Sequence, residues 1–281
     1  MFLKFSITLL ASIVFSFLFC KLGNKLKFYD NATGDPLKIH KKPVSCLGGI
    51  AIFLAFSAYN WKVSLLGAPV FLIGLLDDLV WRDRIKIKPK TKFILLILSS
   101  LFSAWLLPGP YYILTFTCIF VLINAVNYQD GMDGLAGGET AISFLGFAIL
   151  GYLSGDNLIS AVSFSMFLSI LGFLFFNFPP AKIFMGDSGA YFIGFVLAVL
   201  ACNFSILASI FVAGLPLFDG IYTNLRRILS GKSIFLGDRE HLYDKLLKKG
   251  FSSRKTLVVS YSVQIIFVII GICIFRFQGL I

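Results

Sequence analysis

Apolar runs of roughly 15 to 22 residues recur along the chain, and nothing else in the sequence restricts its folding as much. In hydrocarbon, a segment of that length must be a helix that satisfies its own backbone hydrogen bonds. About ten such runs occur, near 2–20, 46–59, 63–80, 93–107, 111–126, 137–153, 158–176, 188–202, 204–225 and 256–274, the second and eighth being short. With 58% of its 281 residues hydrophobic and 14% charged, the chain cannot clothe a water-soluble domain. The expected fold is an all-α, polytopic transmembrane bundle of about ten helices, a single domain over residues 1–281. Lys4 ahead of the first run has the look of a secretory signal, but no small-x-small cleavage site follows and Phe19 precedes Cys20, so the run is read as a span.

Charge fixes the orientation. If the first run leads inward, every one of the 25 Lys and Arg except Lys4, Lys62 and Arg276 falls in a cytoplasmic segment, which puts both termini outside. The net charge of +11 is then largely topogenic, and nucleic acid is not an expected partner. That rule is silent on acids, yet all 14 Asp and Glu except Asp156 fall on the cytoplasmic side or at helix ends facing it. An ionised carboxylate costs up to about 2.5 to 3.5 kcal/mol at mid-membrane and less near the interface, so acids at helix edges point to function. The five Cys are scattered without a C-x-x-C pair and read as packing residues.

Three acidic clusters stand out. Gly74-Leu-Leu-Asp77-Asp78 closes the third run; two adjacent carboxylates at a helix C-terminus oppose the dipole and call for a cation or a shared proton, although a solvated helix end also accommodates them. Asn124, Asn127, Asp130 and Asp133 recur at a period of three, too slow a drift for one helical face. A helix ending midway would project Asn124 and Asn127 from its last turns, while Gly131 and Gly134 turn the backbone so that Asp130 and Asp133 come back toward them. Such oxygens suit Mg²⁺ or the donors of a ribose or base, with an Asx-rich turn as the plainer reading. Phe184-Met-Gly186-Asp187-Ser-Gly189 opens the eighth run: Asp187 is an ordinary N-cap candidate, and free amides at a helix start attract phosphate.

The basic complement comprises His40-Lys41-Lys42-Pro43, Lys88-Pro-Lys90-Thr-Lys92, Arg226-Arg227 and Asp238-Arg239-Glu240-His241. Individually these are candidate interfacial anchors. The two His of the chain, His40 and His241, lie beside basic residues where an imidazole suits phosphate. Carboxylates for a divalent metal surrounded by cations describe pyrophosphate chemistry, and so many helices imply an amphiphilic acceptor whose headgroup reaches the interface.

In their order, Pro43 to Gly49, Gly74 to Asp78, Asn124 to Gly134, Gly186 to Gly189 and Arg226 to His241 resemble the polyprenyl-phosphate N-acetylhexosamine-1-phosphate transferase family over nearly the entire chain. The resemblance implies transfer of a sugar 1-phosphate from a UDP-N-acetylhexosamine to a polyprenyl phosphate, with release of UMP and use of Mg²⁺, for which Mn²⁺ would substitute. It implies Asp187 as principal metal ligand and Asn127 as a second metal contact. Asp77 and Asp78 would position or deprotonate the lipid phosphate. His40, Lys42, Lys90, Asn124, Asp130, Asp133, Arg239 and His241 are expected to contact substrate. A covalent Asp intermediate stays open beside direct displacement, a homodimer is compatible, and the expected location is the cytoplasmic membrane with the site facing inward.

Two departures refine the resemblance. His241-Leu-Tyr243-Asp244 stands where many bacterial members carry a His-x-His-His run, which resembles the O-antigen and capsule branch more than the phospho-N-acetylmuramoyl-pentapeptide transferase of the peptidoglycan branch. Cys46 replaces the Arg usual before Leu-Gly-Gly. A secondary transporter, the rival from another class, would place its acids near the bilayer midplane with repeat symmetry; neither is evident here.

Overall fold

The computed structural model describes residues 2–30, 43–81, 85–107, 109–233 and 238–279. Its helices are α1 (Phe2–Leu26), α2 (Gly48–Leu76), α3 (Pro89–Leu106), α4 (Tyr112–Gln129), α5 (Leu135–Leu153), α6 (Asn157–Asn177), α7 (Gly186–Ala201), α8 (Ile206–Leu229), the short α9 (Leu242–Lys248) and α10 (Ser253–Gln278). A π turn, Asp77–Trp81, continues α2, and two short strands, β1 (Tyr29–Asp30) and β2 (Val44–Ser45), pair antiparallel. Eight helices are long and apolar enough to cross a membrane, and α7 is a shorter apolar one.

α2 unites two of the expected runs. Its backbone leaves helical geometry at Asn60 (φ −127°, ψ 53°), and there the chain reverses. The proof lies in contacts that a straight helix forbids. Gly49 and Gly74 would stand about 37 Å apart along one axis, yet both lie against Ser188. Phe53 likewise stacks on Phe71 with ring centroids 4.2 Å apart. Asn60 secures the tip by donating to Ser165 Oγ at 2.7 Å. With α2 resolved into two arms, all ten expected runs are present as apolar helices.

α7 is the axle of the bundle. Nearly all of its side chains are buried, with both arms of α2 on one side and α4 on the other. Phe192 meets Phe53, Phe56 and Phe71 edge-on. On the other side, Gly194 lets the α4 backbone approach so closely that a Cβ would lie 2.6 Å from Ile123 Cα. In lipid, where apolar side chains gain little by leaving their surroundings, such small-residue contacts supply the packing.

Polar groups inside the bundle are spent on breaks and caps. α8 bends at Gly214 (φ 55°, ψ −133°) and Pro216. The freed Leu215 amide donates to buried Gln264 Oε1 at 2.7 Å, and Gln264 Nε2 donates to Ser143 Oγ and Val212 O. A broken helix survives at this depth only with such replacement partners. Asp156, the acid that stood apart on the far face, caps α6 by accepting from Leu158 and Ile159 amides at 3.0 and 2.9 Å.

The floor of the acidic face is recessed. Ser45 Oγ donates to Phe19 O at 3.0 Å, and the Phe184 amide donates to Ser45 O at 2.7 Å. α1 nevertheless runs on from Phe19 to Leu26, rising roughly 10 Å above that level. α7, at 16 residues, spans only about 24 Å of a hydrocarbon core about 30 Å thick. The acidic clusters therefore lie below the level at which α1 ends, on the face where α10 begins.

Candidate active site

Four elements converge on Asp187, in the first turn of α7. Its Oδ1 accepts from Asn127 Nδ2 at 2.9 Å, from the last turn of α4. Its Oδ2 accepts from Tyr191 Oη at 3.0 Å and pairs with Lys92 Nζ on α3. Lys92 also reaches Asp77 Oδ2 at 3.1 Å, so one ammonium bridges two carboxylates from different elements. These side chains are only 14 to 26% exposed, which keeps their mutual interactions strong.

The paired Asp divide their labour. Asp78, 8% exposed, accepts from the Asp187 amide at 3.0 Å, from the Ser188 amide at 3.0 Å and from Ser188 Oγ at 2.6 Å. It thus caps α7 from another helix and fixes where Asp187 stands. Gly186 makes this possible: its φ is +70°, and a Cβ there would lie 2.6 Å from Asp78 Oδ2. The expectation that the first amides of this helix attract phosphate is corrected on this point, because Asp78 already occupies two of them. The N-cap position is Met185, not Asp187.

The α4–α5 corner is as the spacing of three suggested, a helix ending at Gln129 followed by a turn through Gly134 (φ +77°). Its members nevertheless point to different partners. Asn124 Nδ2 donates to Phe120 O in its own helix at 2.7 Å, and Asp133 Oδ2 accepts from the Ala181 amide at 2.9 Å, tying the turn to the segment before α7. Asp130 caps α4. Lys90 is exposed, and two residues along a helix put it on the opposite side of α3 from Lys92. His40 and Lys42 lie outside the described residues.

A second polar centre adjoins the first through Gln129. Asp219, deep in α8, accepts from Gln129 Nε2 at 2.9 Å, from the Leu242 amide at 2.9 Å and lies 2.8 Å from His241 Nδ1. His241 is 4% exposed, also meets Thr223 Oγ1 at 3.2 Å and stacks against Tyr243. Arg239 Nη1 pairs with Asp244 Oδ1 at 3.1 Å and donates to Gly131 O at 3.3 Å, so the α9 segment sits on the α4–α5 turn. Arg226 and Arg227 both engage Asp238, and Arg226 also pairs with Glu240. Burial would raise the Asp238 carboxyl, but hydrogen bonds from Arg227 and Arg226 outweigh it and hold the group at about 2. For Asp244 burial wins over Arg239, and its carboxyl is raised. These arginines are thus committed to neighbouring acids.

Sequence reasoning passed over Tyr191, Gln129 and Asp219, and took Lys92 only as one cation of the Lys88–Lys92 run. A lone acid inside an apolar run was the available signal for Asp219. Glu139, fully buried on α5, is another acid inside the bundle and not at its edge.

Among the described residues no three His, Cys, Asp or Glu cluster as a metal cage. Mg²⁺ does not require one, since it is commonly held by one or two carboxylates together with waters and substrate phosphates. Asp187 and Asp77 fit that pattern, Asn127 would add its amide oxygen by turning its side-chain amide over, and the bridging Lys92 ammonium marks the place where positive charge is favoured.

Residues 60–205, which hold Asp77, Asp78, Lys92, Asn127 and Asp187, match the sequence model of glycosyl transferase family 4. The probable undecaprenyl-phosphate N-acetylglucosaminyl 1-phosphate transferase of Bacillus subtilis is 30% identical over 95% of this chain and 83% of its own length. The undecaprenyl-phosphate alpha-N-acetylglucosaminyl 1-phosphate transferases of Yersinia pestis and Escherichia coli are 28% and 27% identical, over 94% and 89% of this chain and 81% and 77% of theirs. By its family match and its similarity to these relatives along nearly its whole length, this multi-pass chain belongs to glycosyl transferase family 4 and is a membrane enzyme.

Proposed function

We propose that the protein transfers an N-acetylhexosamine 1-phosphate from a UDP-sugar to a polyprenyl phosphate at the cytoplasmic face of the cytoplasmic membrane, releasing UMP and initiating an envelope glycan. The observation that carries this reading is the bridging of Asp77 and Asp187 by Lys92 beside Asn127, at the foot of a recess on the Lys- and Arg-rich face. Two carboxylates, an amide and a cation suit a metal–diphosphate pair and an incoming phosphate, and the recess opens at the level where a lipid headgroup lies. The names of the relatives favour undecaprenyl phosphate as acceptor and N-acetylglucosamine among the sugars.

In this reading Asp187 and Asn127 would hold Mg²⁺, which would supply charge neutralisation on the phosphoryl oxygens. Lys92, which lies between Asp77 and Asp187, would hold a phosphate oxygen. Asp77 orients the lipid phosphate; a phosphate monoester has a second pKa near 6 and needs little help to lose its proton. Asp78 is a positioning residue through its cap on α7. Asn124, Asp130, Asp133 and the Arg239–His241 segment border the nucleotide side.

The test is turnover in membranes containing the protein, Mg²⁺ and undecaprenyl phosphate, supplied in turn with different UDP-N-acetylhexosamines. UMP release with a butanol-soluble sugar lipid is expected, and its loss in Asp187→Ala. Normal turnover by that variant would refute the metal assignment, and no product from any UDP-sugar would refute the reaction.

A further inference from the structure

α10 starts beside the α4–α5 turn. Gly134 lies against Phe178 and Leu257, and Tyr261 Oη donates to Gly134 O at 2.5 Å. Here a cleft of about 330 Å³ opens, lined by Phe178, Pro179, Arg254, Leu257, Val258 and Tyr261. All but one of these are apolar or aromatic, and Phe178 and Val258 are 44% and 65% exposed, so the cleft faces the surroundings of the bundle. For a helix as apolar as α10 those surroundings are lipid.

Arg254 is the charged lining residue. Among the described residues its guanidinium has no ion pair or hydrogen bond, and the first turn of α10 contains no acid. Arg254 and Lys255 therefore stand at a helix N-terminus whose own dipole is positive, an arrangement that costs energy until an anion joins it. An anionic charge above and an apolar slot below describe an amphiphile with a phosphate head and an acyl tail. The acceptor lipid is served elsewhere: α10 packs mainly against α5, α8 and α9, whereas the Asp187 cluster is built from the π turn, α3, α4 and α7.

We propose that this cleft binds an anionic phospholipid, its phosphate on Arg254 and its acyl chain along Leu257, Val258 and Tyr261. The Tyr261–Gly134 hydrogen bond joins the occupied cleft to the turn that carries Asp130 and Asp133, so the lipid braces the floor of the active site from the membrane side. The cleft and its cation stand apart from the phosphotransfer reading, while the assignment of the acceptor lipid to the Asp187 cluster, and so of a different lipid to this cleft, rests on it.

The experiment uses the full chain in nanodiscs of equimolar phosphatidylglycerol and phosphatidylcholine, with co-purifying lipid identified by native mass spectrometry. One cation at a membrane surface favours an anionic lipid about fivefold, so wild type should retain phosphatidylglycerol over phosphatidylcholine by about that factor. Arg254→Gln should bring the two lipids to parity. Val258→Trp, which fills the slot while leaving the guanidinium, should lose retention of both. Asp187→Ala should keep the wild-type preference, separating this site from the catalytic one. Parity in wild type, or an unchanged preference in Arg254→Gln and Val258→Trp, would overturn the proposal. So would displacement of phosphatidylglycerol by stoichiometric undecaprenyl phosphate, which would make the cleft an acceptor site, or by inorganic phosphate, which would make it a headgroup site alone.

Discussion

Replacing Asp78 by Asn keeps the shape of the side chain but removes its charge and turns one of its acceptor atoms into a donor. In the structure Oδ1 receives the Asp187 amide, while Oδ2 receives the Ser188 amide and hydroxyl. The amide group of Asn can serve only one of these two positions. Losing one charge-assisted bond costs about 1.5 to 3 kcal/mol, and removing an anion from a helix N-terminus adds about 0.5 to 1 kcal/mol. Because Asp78 is 8% exposed, water does not compensate, and a total of about 3 kcal/mol is expected. In a chain of this size that lowers Tm on the order of 6–12 °C. Asp77 faces Lys92 on α3, so Asp77→Asn should lose turnover with a smaller fall in Tm than Asp78→Asn. The assay pairs thermal unfolding of the purified protein in detergent with UMP release under saturating Mg²⁺. Ser188→Ala, which removes the hydroxyl bond alone, should fall between, at about 1 kcal/mol. If Asp78→Asn abolished turnover with an unchanged Tm, Asp78 would be a substrate contact and the capping argument would fail.

Lys92→Met removes the cation shared by Asp77 and Asp187; half-saturation by Mg²⁺ should move to lower concentration while turnover falls about a hundredfold, and a titration leaving both unchanged would contradict the bridging role. Gln264→Leu leaves the Leu215 amide at the α8 bend without its acceptor and should cost about 1 to 3 kcal/mol in chemical denaturation. Asp238 has a folded pKa of about 2, below its ordinary value of 3.8, so its ion pairs stabilise fully above about pH 4 and lose their effect as pH falls through about 2. The Tm difference between wild type and Asp238→Asn should accordingly close over that interval, and a difference that persisted at pH 2 would count against the pairing.

The helices were legible because lipid leaves a long apolar run no alternative, and the reversal at Asn60 was visible as the Asn60-Trp-Lys62 break between two runs. The identity of the acidic clusters was legible too, and the fold brings Asp77, Asp78, Asn127 and Asp187 together. What each does within the cluster was not. Adjacent Asp77 and Asp78 look alike in sequence, yet a bond apart they face opposite duties, one toward Lys92 and one toward the α7 amides. Lys90 and Lys92 were separable only once Pro89 set the start of α3 and hence its phase. Asp219 was visible as a lone acid in an apolar run, but its partners Gln129 and His241 come from other segments and gave no sign of where it points.

The recess beneath the end of α1 has an electrostatic consequence for how the enzyme meets its ionic surroundings. Charges that are only 14 to 26% exposed among apolar helices are poorly reached by mobile ions, whereas exposed charges further out meet a Debye length of about 8 Å at physiological salt. The attraction that draws anionic substrates toward the Lys- and Arg-rich rim will weaken as salt rises. Interactions among Lys92, Asp77 and Asp187 at the floor will hardly notice, so ionic strength should govern capture of the substrates and leave the chemical step almost untouched.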